Sequence, residues 1–245
     1  MRRLLLILFL FCLGCQAHAA EVRVAVAANF LATLKAIAPL YEQQSGDKLI
    51  ISAGSSGKLY AQIINGAPYD ILLAANEAYP EKLEAAGQVV PGSRFVYATG
   101  QLVLWSATAQ PIDKESVAAA GVKHIAIANP RTAPYGVAAR QALESLSLWQ
   151  PLQAKLVQGE SIAQTFQYVA SGNVQLGFVA LSQVLNPDNS FNRDYYWPVP
   201  ADAYQPLRQG AALLKQSEHN SAARALLQFL QGDAARKVMA NYGYR

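Results

Sequence analysis

Ile50-Ile51-Ser52-Ala53-Gly54-Ser55-Ser56-Gly57-Lys58-Leu59 is an apolar run that stops at small hydroxylated residues and then turns helical. Ile50 and Ile51 suit a strand, and the two glycines free the backbone. In Lys58-Leu59-Tyr60-Ala61-Gln62-Ile63-Ile64 the spacing puts Leu59, Ile63 and Ile64 on one helical face. A strand feeding a helix at Ser55 and Ser56 would surround both serines with unpaired N–H groups. Backbone donors, hydroxyls and the positive end of the helix dipole favour a bound anion without a full positive charge. On this stretch alone, a serine N-cap on an ordinary surface helix is the commoner meaning. A nucleotide P-loop is excluded, because the residue five before Gly57 is Ser52 and Leu59 follows Lys58, leaving no hydroxyl for magnesium. A hydrolase elbow of the form G-x-S-x-G is excluded as well, since Gly54-Ser55-Ser56-Gly57 is one residue too short.

The strand-to-helix rhythm extends in both directions. Upstream, Val22 to Ala28 reads as a buried strand, with Asn29 as the cap of a helix running to about Gln44. Pro39 should kink that helix and Gly46 should end it. Downstream, Asp70 to Ala75 reads as a strand and Glu77 to Ala86 as a helix. Phe95 to Trp105, broken at Gly100, is longer than one strand needs and can cross between two lobes. A second set follows: strands at His124–Asn129, Leu156-Val157 and Gln175–Leu181, and helices at Gly136–Ser147 and Ile162–Ser171. Tyr195 to Pro206 reads as a rigid segment, Gly210–Leu214 as a last strand, and Ser221–Gln231 and Asp233–Asn241 as closing helices. Alternating strands and helices without hairpin signals imply an α/β fold with mostly parallel sheets covered by helices.

Residues 1–19 read as a signal peptide. Arg2 and Arg3 precede an almost wholly apolar run from Leu4 to Leu13, and Ala17-His18-Ala19 is a small-x-small cleavage site. The run is too short to span a bilayer, so an exported, periplasmic protein is expected. Leu13-Gly14-Cys15 is a weaker lipoprotein alternative. Cys12 and Cys15, the two cysteines, both lie in this leader, so the mature chain has no thiol chemistry. The leader carries two of the 20 basic residues, leaving 18 against 16 acidic ones in no Lys/Arg-rich run, which gives no case for nucleic acid.

Four of the strand-to-helix turns repeat one chemistry: Asn29, Ser55-Ser56-Gly57, Ala133-Pro134-Tyr135-Gly136 and Glu160-Ser161-Ile162. Such turns lie at the carboxyl ends of strands, where ligands of open α/β sheets collect. They offer mostly neutral donors. His124 and His219 lack partners at metal spacing, and each is more simply a surface residue. Arg131 suits the cleft rim or plain solvent. The adjacent Tyr195-Tyr196 resembles the iron-ligating Tyr pair of ferric-ion-binding proteins, but the turns supply donors that repel a cation, and packing explains the pair more simply.

Asn29 after an Ala-rich strand, Gly54-Ser55-Ser56-Gly57-Lys58-Leu59, Gly66-Ala67-Pro68-Tyr69-Asp70, Asn129-Pro130, Ala133-Pro134-Tyr135-Gly136, Gly177-Phe178-Val179 and Tyr242-Gly243-Tyr244 occur in order. Over essentially all of the mature chain this resembles the periplasmic molybdate-binding proteins of ABC importers. The resemblance implies a type II periplasmic-binding-protein fold with a ligand cleft between two lobes. Residues 20–100 and the return segment 205–245 would form the first lobe, and 101–204 an inserted second lobe. It further implies a tetrahedral oxyanion held by Asn29, Ser56, Tyr135 and the backbone N–H of Ile162, with Ser55, Gly57 and Ser161 beside them. The implied ligand is molybdate or tungstate with no further cofactor, bound by lobe closure, not catalysis. The implied partners are membrane permease subunits, and a monomer is expected. Many relatives carry a ligand Tyr where this chain has Ala180. That departure makes the Tyr135 hydroxyl the candidate to enter the same space. Sulfate or another oxyanion, a ferric ion, and a secreted serine hydrolase are the alternatives. Phosphate is disfavoured because it partly carries a proton at neutral pH and needs an acceptor in the cleft.

Overall fold

The computed structural model describes residues 19–108, 111–119, 121–185, 187 and 195–245. The expected leader, with Cys12 and Cys15, lies outside the described residues apart from Ala19. Two five-stranded sheets carry the fold. The first holds β1 (Glu21–Ala27), β2 (Lys48–Gly54), β3 (Ile71–Leu73), β4 (Phe95–Gly100) and β10 (Leu207–Leu213), in the order β2-β1-β3-β10-β4. The second holds β5 (Leu102–Trp105), β6 (Ile125–Ala128), β7 (Leu156–Gly159), β8 (Leu176–Ala180) and β9 (Tyr196–Pro198), in the order β7-β6-β8-β5-β9. In the first sheet β10 runs antiparallel to both neighbours, and in the second β5 does. One strand of each five therefore opposes the other four, which is the mostly parallel arrangement that the alternating pattern implies.

The apolar run from Phe95 to Trp105 is two strands. β4 closes the first sheet, Gln101 alone intervenes, and β5 enters the second. The chain comes back after β9 into β10, so each sheet carries a strand next to a lobe crossing.

Period-two alternation fills both faces of the first sheet. Val22, Val24 and Val26 of β1 pack on one side against Phe30, Leu34 and Ile37, while Ala25 turns to the other side with Leu59, Ile63 and Leu72. The second sheet is likewise sandwiched. Leu102, Leu104, Ile125, Ile127 and Phe178 form one cluster, and Val103, Trp105, Ala126 and Val179 the opposite one. Each Leu, Ile or Phe fully buried in this way stabilises the fold by about 1.5–3 kcal/mol.

The covering helices are α1 (Leu31–Ser45), α2 (Ser56–Ile64), α3 (Ala78–Ala85), α4 (Pro134–Ser145), α5 (Trp149–Leu152), α6 (Ile162–Ala170), α7 (Leu181–Val184), α8 (Ser221–Leu230) and α9 (Asp233–Asn241). α1 runs on through Pro39 and ends where Gly46, at φ 80°, donates its N–H to the Glu42 carbonyl. Two local expectations are corrected. Asn29 does not cap α1: it sits inside a 3-10 turn, Ala28–Phe30, and no side-chain cap bond opens either element. Ile64 does not join Leu59 and Ile63 in the core but stands 44% exposed, because a residue five positions after Leu59 is turned about 140° from it around the helix. None of the described helices is long and apolar enough to cross a membrane.

Candidate functional site

Three helices of eight residues or more point their N-termini at one place, and they come from both sheets. α2 follows β2 directly, α4 follows β6 through Asn129-Pro130, and α6 follows β7. With the 3-10 turn after β1, they surround a cavity lined by Ala27, Ala28, Asn29, Ser55, Ser56 and Tyr135, together with Gly54, Ala75, Ala133, Pro134 and Ile162. The centre of a water molecule can reach about 10 Å³ of it, far below the ~300–1,000 Å³ of sites for drug-sized ligands. Among the described residues no ionised side chain lines the space. A compact ion fits this cavity better than an organic solute does.

Each approach is built locally. Ser55 occupies the N-cap position of α2, yet its hydroxyl makes no cap bond and has no hydrogen-bond partner, although the residue is buried. It is therefore not the ordinary serine cap that the stretch alone suggests. Ser56 Oγ accepts the N–H of Ala75 at 2.9 Å. That bond uses a lone pair and leaves the hydroxyl proton free to donate. Before α4, Asn129 accepts the N–H of Arg131 on its side chain at 3.0 Å and those of Thr132 and Ala133 on its carbonyl. Pro134 then opens the helix, where a missing N–H costs nothing. Tyr135 is the next residue, at a position whose N–H has no partner within the helix. Ser161 is a true cap, accepting the N–H of Gln164 at 3.3 Å, so it orients the first turn in which the N–H of Ile162 is free of intrahelical bonds.

The lobes meet beside the cavity. The N–H of Gly57 donates to the carbonyl of Thr132 at 2.9 Å, and Lys58 Nζ lies 2.8 Å from Glu160 Oε2. Lys58, and more weakly Arg131, hold the Glu160 carboxyl below its ordinary range. Arg131 itself is exposed and does not line the cavity.

Beneath the cavity lies a buried polar network that the sequence reading missed. Gln209 of β10 is fully buried. Its Oε1 accepts from Asn29 Nδ2 at 2.9 Å and from the Tyr97 hydroxyl at 3.1 Å, and its Nε2 meets the Tyr135 hydroxyl at 3.4 Å. Asn29 Nδ2 also donates to the Tyr244 hydroxyl at 2.9 Å, and the Asn29 carbonyl accepts from Ser182 and Tyr244. Burial pushes the phenols of Tyr97, Tyr135 and Tyr244 up, so all three stay neutral. One signal for this network was available: a glutamine inside the otherwise apolar end of β10, Gln209-Gly210-Ala211-Ala212-Leu213.

Asn29, Ser55, Ser56, Tyr135 and Ile162 are thus brought together, with Gly57 and Ser161 supporting the helix starts. The Tyr135 hydroxyl is the exception. It is packed under Gly100 and bonded to Gln209 rather than standing in the cleft as a donor, so Tyr135 presents its backbone there. Ala180 ends β8 in the core and does not line the cavity. His124 and His219 are exposed, and neither they nor Tyr195-Tyr196 line the cavity. Tyr196 instead packs on the cluster around Trp105. Among the described residues no group of three or more His, Cys, Asp and Glu could hold a metal ion.

Two lobes with an anion-sized cavity between their helix starts define a solute-binding protein. Residues 22–245 match the model of the bacterial extracellular solute-binding proteins, and the chain belongs to that family. It is 50% identical over 234 residues to the molybdate-binding protein ModA of Azotobacter vinelandii, covering 95% of this chain and 92% of the relative. The molybdate-binding protein ModA of Rhodobacter capsulatus is 42% identical over 233 residues, covering 95% and 91%. Among solved structures, the periplasmic molybdate-binding protein of Azotobacter vinelandii superposes with a TM-score of 0.88 at 41% identity, covering 92% of this chain and 99% of that one. The two-lobed periplasmic-binding-protein fold is therefore established for this chain.

Proposed function

We propose that this chain captures molybdate, and tungstate with it, in the periplasm and delivers it to the permease subunits of an ABC importer. The observation that carries this reading is the convergence of three helix N-termini from two lobes on a small cavity that no ionised side chain among the described residues lines. Such a site favours a compact anion stripped of water, held by fixed N–H dipoles. The ligands on this reading are the hydroxyl and N–H of Ser56, the N–H groups of Tyr135 and Ile162, and Asn29, with Ser55 adding its unpartnered hydroxyl. The names of the relatives support molybdate as the anion.

Residues 20–100 with 205–245 act as one lobe and 101–204 as the other, and the ligand is enclosed as they close on the hinge segments beside β5 and β10. Residues 1–19 direct export. The role on this reading is capture and release, and among the described residues no histidine lines the cavity to activate Ser55 or Ser56.

The test is a calorimetric and thermal-shift panel of molybdate, tungstate, sulfate, phosphate and ferric ion. An anion at a hundred times its dissociation constant should add about 2.7 kcal/mol to stability. Molybdate and tungstate should give that shift. Their failure alongside a clear response to sulfate or ferric ion would overturn the assignment.

A further inference from the structure

The Asn29 and Gln209 amides meet beneath the cavity in an arrangement that leaves one buried acceptor over. Asn29 lines the cavity, and its Oδ1 is buried without a hydrogen-bond partner, while its Nδ2 is committed to Gln209 and Tyr244. A carbonyl oxygen left over beside an anion site is unfavourable twice: it is an unpaired buried acceptor, and its dipole repels the ligand. The side-chain donor that an anion needs is turned away.

We propose that Gln209 is the positioning residue of this site, and that oxyanion binding exchanges the nitrogen and oxygen ends of the Asn29 and Gln209 amides together. This rests on the oxyanion reading above. After the exchange Asn29 Nδ2 donates to the anion, and Asn29 Oδ1 accepts from Gln209 Nε2 and the Tyr244 hydroxyl. Gln209 Nε2 also donates to Tyr97, whose own proton goes to the Ala74 carbonyl, already 3.3 Å away. Gln209 Oε1 accepts from Tyr135.

One bond is given up: the Tyr244 proton leaves the Asn29 carbonyl, which keeps Ser182. The side chains that touch the two amides are phenols, able to donate or accept as required. The three phenols are held neutral by burial, which keeps both arrangements available. Gln209 is what makes the exchange concerted. It joins Asn29 and Tyr97 of the first sheet's side to Tyr135 at the start of α4, so the orientation of the Asn29 amide is tied to the second lobe. A side chain at 209 with one kind of end could serve only one of the two states.

The experiment follows the side-chain amide resonances of Asn29 and Gln209 in the 15N-labelled chain during titration with sodium molybdate, with binding measured in parallel by calorimetry. Both amide pairs should move with saturation. Gln209→Met should weaken molybdate binding by about tenfold or more, as for the loss of a hydrogen bond to a charged group, and should abolish the Asn29 response. Molybdate heat with unmoved Asn29 and Gln209 amides would overturn the exchange while leaving the oxyanion reading intact. So would a folded Gln209→Met that binds as tightly as the parent. Absence of heat with molybdate and tungstate would overturn both. The titration of the unsubstituted chain decides the matter even if Gln209→Met does not fold.

Discussion

Gly57 and Thr132 belong to opposite lobes, and the N–H of the first donates to the carbonyl of the second at 2.9 Å. A Cβ placed on Gly57 would stand 2.8 Å from that carbonyl and 2.6 Å from the Tyr79 hydroxyl. The backbone carbonyl of Thr132 cannot give way as a side chain can, so the approach of the second lobe requires glycine, and the Tyr79 hydroxyl of Gly57's own lobe would have to shift as well.

Gly57→Ala should accordingly hold the lobes apart. Overpacking of this kind costs about 1–3 kcal/mol, and here it should appear in molybdate affinity, mostly as faster release. Stopped-flow dissociation on the variant checks it. Unaltered release would mean that the Gly57–Thr132 contact is not part of the ligand-bound state.

Ser56→Ala removes two things. The anion loses one hydroxyl donor, which should cost about 1.5–3 kcal/mol of binding, and the buried N–H of Ala75 loses its acceptor, which should cost about 1–3 kcal/mol of folding stability. Calorimetry and urea unfolding of the ligand-free protein separate the two. A stability loss with unchanged affinity would confine Ser56 to bracing Ala75.

Tyr135→Phe should do the reverse of what a ligand phenol would do. The ring stays in the core and the backbone N–H stays at the cavity, so molybdate affinity should hold within about twofold. The ligand-free protein should lose about 1 kcal/mol, since Gln209 loses a partner in either orientation. A tenfold or greater loss of affinity would return the hydroxyl to the anion.

Alkaline pH should act on folding before it acts on the site. Burial, with Asp47 beside it, pushes Tyr41 up to about 12, and burial raises Tyr97, Tyr135 and Tyr244 as well. A raised folded value means that the native state keeps protons which unfolded tyrosines release near pH ~10. The stabilisation is complete below that pH and falls as pH climbs toward the folded values. Affinity from neutral to mildly alkaline pH should stay flat, because no ionised group among the described residues lines the cavity. Urea unfolding across the alkaline range, with parallel binding measurements, checks both. An affinity that drops steeply before stability does would reveal a titrating group at the ligand.

Much of the fold was legible because it is written in local periodicity. The run at Ile50–Leu59 becomes β2 and α2, and the overlong apolar stretch from Phe95 becomes two strands in two sheets, as its length and Gly100 suggest. The turns at Asn29, Ser55-Ser56, Tyr135 and Ile162 could be grouped because strand-to-helix turns of α/β sheets share one end. Three matters rested on tertiary structure alone. Asn29 reads as a cap, whereas partners some 180 and 215 positions along the chain hold its side chain. The Tyr135 ring stands at a turn where its hydroxyl could face the cleft, and Gln209 draws it inward. Gln209 itself carries no motif. Backbone geometry and amphipathic spacing depend on neighbours within a few residues, so the sequence by itself determines them. The direction of a buried polar side chain depends on which distant donors and acceptors share its low-dielectric surroundings, and those are chosen only when the two lobes and the returning strand pack together.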